Sequence, residues 1–509
     1  MRRSALLLAA LALGGCMVGP DYQKPPPASE TAQTFKELTA PREVMPGIEF
    51  RPALPRDAID RGPWWTIYGD PTLDRLMAQV DVSNQTLKEN EAAYRLAVAT
   101  MRQNQSLLFP SLGYTGSVQQ VSAGGGRGST SLSASSSSSS TGQYSLGGTL
   151  TWELDLWGRI RRTIESDAAA AQASAADIAS ARLSIQSSLA TSYFSLRISD
   201  ERASFYREQV ANLTRSLQIV RNQVSAGTAS KLDEAQARTL LEQTRALYVA
   251  EGATRAQFEH AIAALIGRQP AEVNVETAPT VKTVPTLDAG VPSSLLERRP
   301  DIAAAERTMQ SSNALIGVAV AAYYPDFSFN ASITFLTTTL GNLLQISNAV
   351  WSLGPSMSGT ALDGGARSAQ VEGARATYDK SVATYRQTVV TAFQQVEDAL
   401  AQQHYYEEQE KIQRAAVDAA REAVRLSINQ YQAGTIAYTT VITAQTTAIG
   451  AEQTLINIRL NRFSTSATLV TALGGGWREQ DMPALIPSPP QTPPGATPVK
   501  KKDWWAFWR

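Results

Sequence analysis

Four segments of the sequence alternate between apolar and small polar residues, and this pattern limits the possible folds more than any other feature. In the stretch Tyr323–Phe335, the odd positions from Phe327 onward are apolar, and the even positions hold serine, asparagine and threonine. Such alternation predicts a β-strand with one apolar and one polar face. The predicted strands cover about residues 110–121, 144–155, 326–335 and 350–361.

The polar faces of these strands carry few of the lysine and glutamate residues that a solvated sheet face usually has. A soluble sandwich, in which two apolar faces meet, is the alternative to a membrane location at this point. Aromatic residues near the helix-proximal ends of the strands favour the membrane, because an aromatic girdle marks each membrane interface of a transmembrane barrel. These residues are Phe109, Tyr114, Trp152, Trp157, Tyr323 and Tyr324.

Four strands cannot close a barrel by themselves. An open sheet edge in lipid would leave backbone groups unpaired, at a cost of several kcal/mol each. A chain with these strands in lipid must therefore form an oligomer. Two copies would give eight strands with an interior filled by side chains, whereas three copies give twelve strands and begin to leave a lumen. Small polar residues on the inner face favour three copies.

Self-similarity divides the chain into two halves with the same order of elements. The motif NQVSAGT at Asn222–Thr228 returns as NQYQAGT at Asn429–Thr435, an offset of 434 − 227 = 207 residues. Upstream, Phe109 aligns with Tyr324 at an offset of 324 − 109 = 215 residues. The length difference falls on the serine- and glycine-rich stretch 123–142, which is predicted to be a flexible hairpin loop.

Two very long helices are predicted, at about Arg162–Val224 and Arg367–Tyr431. The first would measure on the order of 90 Å, several times the thickness of a bilayer core, so it must extend out of the membrane. Its upstream part is mostly alanine and serine, which supply little burial each and require many neighbours, as a closed ring of helices would provide. Its downstream part carries a coiled-coil seam formed by Val210, Leu213, Leu217, Val220 and Val224.

Each long helix is predicted to end at an Ala-Gly-Thr turn. Gly227 and Gly434 can take the left-handed conformation that follows a helix C-terminus. After the first turn, Ser230 and Asp233 match a capping box for the returning helix.

The N-terminus has the features of a lipoprotein signal peptide. Arg2 and Arg3 precede the apolar run Ala5–Leu13, which is too short to span a bilayer. The segment Leu13-Gly14-Gly15-Cys16 looks like a lipobox, so residues 1–15 are predicted to be removed and Cys16 to carry lipid. A chance cysteine beside an ordinary cleavage site is the alternative.

Composition and motifs argue against several function classes. The 46 basic and 46 acidic residues give zero net charge, so no broad field attracts nucleic acid. One cysteine and two distant histidines supply no metal-ligand set, and no nucleotide loop or nucleophile–base pair is recognisable. No catalytic residue, metal or cofactor is therefore predicted, and conduction would be passive and driven by a partner. An enzyme interpretation would rest only on scattered acidic residues such as Glu153 and Asp155.

Several stretches carry a family resemblance. They are GCMVGPDYQKP at Gly15–Pro25, WWTIYGDPTLDRL at Trp64–Leu76, LLERRPDIAAAER at Leu295–Arg307, the Ala-Gly-Thr turns and the closing TALGGGW. Together they resemble the outer-membrane efflux proteins, the TolC-like family, in the lipoprotein branch often labelled NodT. The resemblance implies a mainly α fold with a transmembrane β part. It implies a homotrimer with a twelve-stranded β-barrel in the outer membrane, four strands per chain, a twelve-helix α-barrel in the periplasm and an equatorial collar.

The resemblance also implies a division of the chain. The segments are a signal peptide (1–15), a lipid anchor with an equatorial segment (16–70), a first repeat (71–269), an equatorial connector (270–294), a second repeat (295–477) and a Pro-rich tail (478–509). The tail ends in KKKDWWAFWR, for which disorder is the prediction and docking on a membrane surface or a protein the alternative.

For function, the resemblance implies a conduit for small toxic compounds or drugs, supplied by a proton-driven inner-membrane pump through a periplasmic adaptor. A type I protein-secretion conduit is the alternative, and a periplasmic coiled-coil adaptor would lack membrane strands. The tips of the long helices are expected to close the tunnel at rest. Related proteins often have an acidic residue where this chain has Ala437, so the gate is assigned to other residues. These are Gly227, Thr228, Asp233, Gly434, Thr435 and Tyr438.

Overall fold

The computed structural model of the chain describes residues 17–27, 35–39, 63–122, 140–278, 284–285 and 298–477. Within these ranges the fold is mainly α-helical with one small antiparallel sheet, which confirms the predicted class. The main helices are α1 (Pro71–Ser83), α2 (Gln85–Ser106), α3 (Arg159–Ser225), α4 (Lys231–Leu265), α5 (Pro300–Ala321), α6 (Ala366–Gln432) and α7 (Tyr438–Ala472). The strands are β1 (Ser111–Ser122), β2 (Ser140–Leu154), β3 (Asp326–Thr337) and β4 (Ala349–Ser358).

The sheet has the order β1-β2-β3-β4, and every neighbouring pair is antiparallel. Its register places the apolar residues of each strand opposite those of the next, so they share one face. Examples are Leu112 opposite Leu150, Trp152 opposite Phe329, and Ile333 opposite Trp351. The alternation in sequence therefore gives a sheet with a continuous apolar side.

The opposite face of the sheet is lined by hydroxyl and amide groups that bond across the strands. Three pairs of serine hydroxyls lie at 2.7–2.8 Å: Ser117–Ser145, Ser328–Ser356 and Ser332–Ser352. Asn330 donates to Ser356 at 2.9 Å. Small polar side chains thus satisfy one another along this face, and its charged residues Glu153 and Asp326 lie at the helix-proximal end, where Arg159 pairs with both.

Both edges of the sheet are open within the part of the chain that the structure describes, since β1 and β4 each have one partner strand. Apolar side chains on the edge strands are exposed, including Tyr114 at 89% and Trp351 at 72%. Such an edge presents a row of unpaired backbone groups that another strand can join.

The strand ends differ slightly from the prediction. β2 begins at Ser140, so residues 140–142 belong to a strand and not to the predicted loop, because Ser122 pairs with Ser140 across the hairpin. Residues 123–139 of that loop lie outside the described residues. β4 ends at Ser358, ahead of the predicted residue 361.

Two helical hairpins form a long stalk below the sheet. Helices α3 and α6 have 67 residues each and span about 100 Å, and the returning helices α4 and α7 have 35 each. Helix α3 packs on α4, α6 packs on α7, and α3 also packs on α7. Both long helices begin after a glycine with positive φ, Gly158 (80°) and Gly365 (94°).

None of the helices in the described ranges combines the length and the hydropathy needed to cross a bilayer.

Two of the hydrophobic clusters in the described residues join the helices of the stalk at different heights. The first surrounds Phe194, whose ring centroid lies 4.8 Å from that of Tyr68 and 5.0 Å from that of Phe463. The second joins the lower ends of the two hairpins and contains the whole predicted seam of α3, from Val210 to Val224. Each fully buried side chain of this size contributes about 1.5–3 kcal/mol.

Candidate functional site

The junction between the sheet and the helices is tied together by two tryptophans. The Trp157 indole N–H donates to the carbonyl of Pro325 at 2.9 Å, and its ring stacks on Tyr324 with centroids 4.6 Å apart. The Trp152 indole N–H donates to the carbonyl of Leu108 at 3.0 Å. Trp152 of β2 therefore holds the segment between α2 and β1, and Trp157, just after β2, holds the segment between α5 and β3.

The other predicted girdle residues lie near the same end of the sheet. Tyr323 lies under the Arg367 guanidinium, 5.5 Å from its carbon to the ring centroid. Phe109 is 70% exposed just before β1, and Tyr114 is the fourth residue of that strand. Five of the six aromatic residues thus lie around the helix-proximal end of the sheet, whereas Tyr114, opposite Gly148, lies four residues further along β1 than the level of Trp152. Their contact with a membrane interface stays a prediction.

Arg162 of α3 anchors the N-terminal segment at this junction. Its side chain is only 2% exposed, and it pairs with Asp21 at 2.9 Å and Glu165 at 2.8 Å. It also donates to the backbone carbonyls of Val18 and Gly19 at 3.3 and 3.4 Å. A buried guanidinium must be paired to offset its desolvation, so residues 18–21 complete the environment of this arginine.

Glycines allow the N-terminal segment to lie directly on the helices. Gly19 has φ +101°, and a Cβ there would lie well under 3.0 Å from the backbone of Gly317 in α5. A Cβ on Gly158 would similarly come within 2.9 Å of Met17. Further down, Lys24 pairs with Glu306 at 2.5 Å. The predicted lipid site Cys16 lies outside the described residues, but its neighbour Met17 lies at the junction of sheet and stalk.

A buried polar network crosses the stalk at the level of the hydrophobic cluster around Phe194. The Tyr193 hydroxyl donates to Asp70 at 2.5 Å, and Arg197 pairs with Asp200 at 3.2 Å and donates to the Glu276 carbonyl at 2.6 Å. Burial, together with the hydrogen bond to Asp70, raises the pKa of Tyr193. The network links α1, α3 and the segment after α4. No group of His, Cys, Asp and Glu suited to a metal occurs in the described ranges.

The two helical tips have the same backbone turn. Gly227 has φ 75° and Gly434 has φ 72°, as their position after the helix ends predicts. The amide of Thr228 donates to the Gln223 carbonyl at 2.9 Å, and its hydroxyl bonds to the same oxygen at 3.1 Å. Thr435 makes the equivalent two bonds to Gln430, both within 3.0 Å. Both threonine hydroxyls are therefore used inside the turn.

The helices after the two turns begin differently. Ser230 and Asp233 form the predicted capping box, with both hydrogen bonds at 3.1 Å. At the second tip Ala437 is the N-cap residue and provides no side-chain bond. The Asp233 carboxylate thus already serves as a helix cap.

Tyr438 is a core residue of the second tip. It is 3% exposed, and its ring lies 4.9 Å from that of Tyr431. Burial, with smaller contributions from Tyr431 and Asp233, raises the pKa of Tyr438 to about 12, so the phenol is neutral at physiological pH. Neither tyrosine hydroxyl has a hydrogen-bond partner among the described residues. Tyr438 is therefore buried in the tip of a single chain, and its predicted role in closing a tunnel stays a prediction.

Sequence reasoning missed the contacts of the N-terminal segment and the polar network. Helix α3 gave one usable signal, an arginine at position 162 followed by a helix face of small residues. Its partners Asp21 and the Val18 carbonyl are about 140 residues away in sequence, so no local pattern connects them.

The comparison with known proteins agrees with this architecture. The model of the outer membrane efflux protein family matches residues 76–268 and 291–475. The chain belongs to this family. It is 32% identical to the probable efflux pump outer membrane protein TtgC of Pseudomonas putida, over 97% of this chain and all of that protein. It has the same identity and coverage with the antibiotic efflux pump outer membrane protein ArpC of the same species.

Solved structures of outer-membrane channels have the same fold. The outer-membrane channel OprN superposes with a TM-score of 0.78 at 28% identity, covering 91% of this chain and 100% of that one. The MtrE outer membrane channel of Neisseria gonorrhoeae, solved in its open state, gives 0.74 at 26% identity, covering 91% and 99%.

Proposed function

We propose that this protein is the outer-membrane channel of a tripartite efflux system. It would be a passive conduit for small toxic compounds or drugs that a pump in the inner membrane delivers. The observation that carries this proposal is a sheet with one apolar face and two open edges, placed on a stalk of helices about 100 Å long. Relatives named for the efflux of toluene, antibiotics and cations favour efflux over protein secretion.

Three copies would complete the wall of the channel. Joining β4 of one chain to β1 of the next leaves no open edge in lipid and gives a twelve-stranded barrel. In the stalk, α3 and α7 are in contact, so α4 and α6 lie at the two ends of a row of four helices. Exposed apolar residues on these outer helices, such as Val249 on α4 and Ile412 on α6, would be covered in a ring of twelve helices.

The ends of the assembly would meet different partners. The apolar face of the sheet and the six girdle aromatics would contact outer-membrane lipid. Lipid on Cys16 would enter the leaflet on the stalk side of the membrane, because Met17 lies beside Gly158 at the junction of sheet and stalk. The tips at Gly227 and Gly434 would meet a periplasmic adaptor, a membrane fusion protein that connects to a proton-driven pump. The polar network near Asp70 would belong to the equatorial collar of segments 16–70 and 270–294, between the two repeats.

A drug-susceptibility experiment tests the conduit role. Deleting this protein in its host should increase sensitivity to a pump substrate, and deleting the pump as well should add no further sensitivity. A double deletion that is clearly more sensitive than either single deletion would show that the two proteins do not act in one pathway. A chain with an intact sheet but without the stalk tips, residues 222–236 and 429–443, should fail to restore resistance.

A further inference from the structure

Two pairs of helices repeat the same lengths at a constant spacing in the chain. Helix α2 covers Gln85–Ser106 and α5 covers Pro300–Ala321, so both ends differ by 215 residues (300 − 85 and 321 − 106). Helices α3 and α6 have 67 residues each, and both ends differ by 207 residues (366 − 159 and 432 − 225). Each residue of α2 or α3 therefore has a counterpart on α5 or α6 at the corresponding offset.

The contacts of these helices leave one place in the repeat open. Helix α5 packs on α3 of the first repeat as well as on α6 of its own repeat. Helix α2 packs on α3, and this contact is the counterpart of the one between α5 and α6. The counterpart of the α3–α5 contact would join α6 to α2, but these two helices are not among the main packed pairs of the described residues. If the repeat continues from one chain to the next, α2 of a second copy fills this place on α6.

The surface of α6 has an open groove with an unused charge at this place. The groove has a volume of about 410 Å³ and is lined by Asp379, Val382, Ala383, Arg386, Gln387 and Val390. The Arg386 Nε is buried and has no hydrogen-bond partner among the described residues. Because a buried charged donor without a partner is destabilising, the groove favours an acidic side chain from another chain.

The contact within one chain predicts which residue of α2 would enter this groove. Ala383 is the counterpart of Ala176 of α3, and Ala176 shares a buried cluster with Ala304 of α5. The counterpart of Ala304 is Glu89 on α2, which is exposed in a single chain. Glu89 of a second copy would therefore lie beside Ala383. Arg386 follows Ala383 by three residues on the same helix face, so its guanidinium would be within reach of the Glu89 carboxylate.

The space between α3 and α5 near the sheet holds one long side chain. Arg162 of α3 lies along Gly317 of α5, since a Cβ on Gly317 would come within 2.9 Å of the Arg162 Cγ. The guanidinium pairs with Glu165, one turn further along α3, at 2.8 Å. An arginine over a small residue, with a carboxylate one turn away, is therefore the arrangement at this level.

The counterparts have the same arrangement, but the arginine comes from the opposite helix. Ala369 of α6 takes the place of Arg162, and Arg102 of α2 takes the place of Gly317 (369 − 162 = 207 and 317 − 102 = 215). Glu372, one turn further along α6, provides the carboxylate. Arg102 and Glu372 are both exposed, and neither has an ion pair within the described residues of one chain.

A leucine and a glycine between these two levels also fit together. The Ser166 hydroxyl of α3 lies 2.8 Å from the Ser311 hydroxyl of α5. The counterparts of these serines are Gly373 on α6 and Leu96 on α2. Leu96 is 68% exposed in one chain, and a Cβ on Gly373 would meet nothing within 4 Å. The large side chain would therefore face an open position on α6.

We propose that α2 of one chain packs on α6 of the next in the same way that α5 packs on α3 within a chain. This contact, the α2–α6 seam, contains the pairs Arg102–Glu372, Leu96–Gly373 and Glu89–Arg386. The inference rests on the proposed function, because it requires copies of the chain to join in a ring. The two ion pairs lie about 20 Å apart along α2, so together they fix the register between neighbouring chains.

Disulfide crosslinking of the full-length protein in outer membranes tests the seam. Leu96→Cys combined with Gly373→Cys should give covalent trimers on non-reducing gels, because each chain would be linked to both of its neighbours. Ser166→Cys combined with Ser311→Cys is the matched control, and its disulfide should close within one chain. The two single variants of the seam give the background from Cys16, the one cysteine of the natural sequence.

A charge exchange tests the ion pair near the sheet separately. Arg102→Glu alone and Glu372→Arg alone would each place like charges in the seam. Loss of one exposed ion pair changes an equilibrium by up to about fivefold, and a trimer has three seams, so each single variant should weaken assembly by up to about a hundredfold. The double variant restores opposite charges and should recover the trimer fraction of the wild type, measured by native mass spectrometry during dilution in detergent.

The outcomes separate a failure of the seam from a failure of the channel proposal. Trimers without a disulfide between Leu96→Cys and Gly373→Cys, in a protein whose control disulfide closes, would refute the seam and leave the conduit intact. A double charge variant that assembles no better than the single variants would refute the pairing of Arg102 with Glu372. Absence of trimers in the wild type would refute the ring of three chains, and the seam with it.

Discussion

Adjacent residues at the centre of β3 allow a matched test of which sheet face meets lipid. Ala331 lies opposite Leu150 and Leu353 on the apolar face, whereas Ser332 lies opposite Thr149 and Ser352 on the polar face. Both are near the middle of a twelve-residue strand. Ala331 lies five residues after Asp326, the first residue of β3. This separation corresponds to about 17 Å along the strand, or about 13 Å along the membrane normal at the usual strand tilt. This is half of the roughly 25 Å apolar band of a transmembrane barrel.

An arginine at this depth gives a calculable difference between the faces. Ala331→Arg should cost about 2–4 kcal/mol, because the guanidinium would face lipid near the bilayer midplane. This corresponds to about a 30- to 900-fold change in the unfolding equilibrium. Ser332→Arg should cost much less, because its side chain would enter an aqueous lumen.

The assay is denaturant unfolding of each variant folded in phosphatidylcholine vesicles, with the amount of assembled protein in outer membranes as a second readout. Equal losses from the two substitutions would refute the assignment of the faces. A larger loss of stability from Ser332→Arg than from Ala331→Arg would indicate that the polar face, and not the apolar face, is packed against other protein.

Further predictions concern the helix ends and the stalk. Gly267→Ala should destabilise the fold by clearly more than the roughly 1–2 kcal/mol of left-handed backbone strain, because the new Cβ would clash with the Ser83 carbonyl. The control Gly434→Ala should cost only that strain, because its Cβ would meet nothing within 4 Å. Equal unfolding midpoints for the two variants would contradict this. Burial acts to raise the pKa of Glu410, but the hydrogen bonds and charges of Arg462 and Arg414 outweigh it and lower the pKa. Glu410→Gln should therefore be destabilising at neutral pH. The difference in unfolding free energy between this variant and the wild type should shrink as pH falls through the lowered folded-state pKa of Glu410. A difference that does not depend on pH would refute the stabilising role of the ionised carboxylate. Tyr438→Phe should change stability by less than about 1 kcal/mol, because the hydroxyl has no partner among the described residues. If that hydroxyl helps to close the assembled tunnel, the same variant should increase uptake of large antibiotics, and unchanged uptake would count against the gate.

Local patterns in the sequence predicted the parts of the fold that depend on local periodicity. Alternation identified the strands and assigned most of their apolar residues to one face. The 3–4 spacing from Val210 to Val224 identified a seam that packs in a hydrophobic cluster. The turn glycines were also predictable, because a residue such as Gly227 with φ 75° needs no distant contact to explain it.

Contacts between distant segments were not predictable in this way. The start of β2 at Ser140 depends on pairing with Ser122, and the serine-rich composition alone indicates a loop. The burial of Arg162 depends on Asp21 and on backbone carbonyls of a segment far away in sequence. The burial of Tyr438 depends on Tyr431 of the preceding helix, whose ring lies 4.9 Å away.

The central claim is that three chains complete one another's wall in lipid. Native mass spectrometry of the protein extracted from outer membranes in detergent tests it most directly. We expect a complex of three times the mass of the mature chain that requires detergent to stay in solution. A monomer that remains soluble in water without detergent would contradict it.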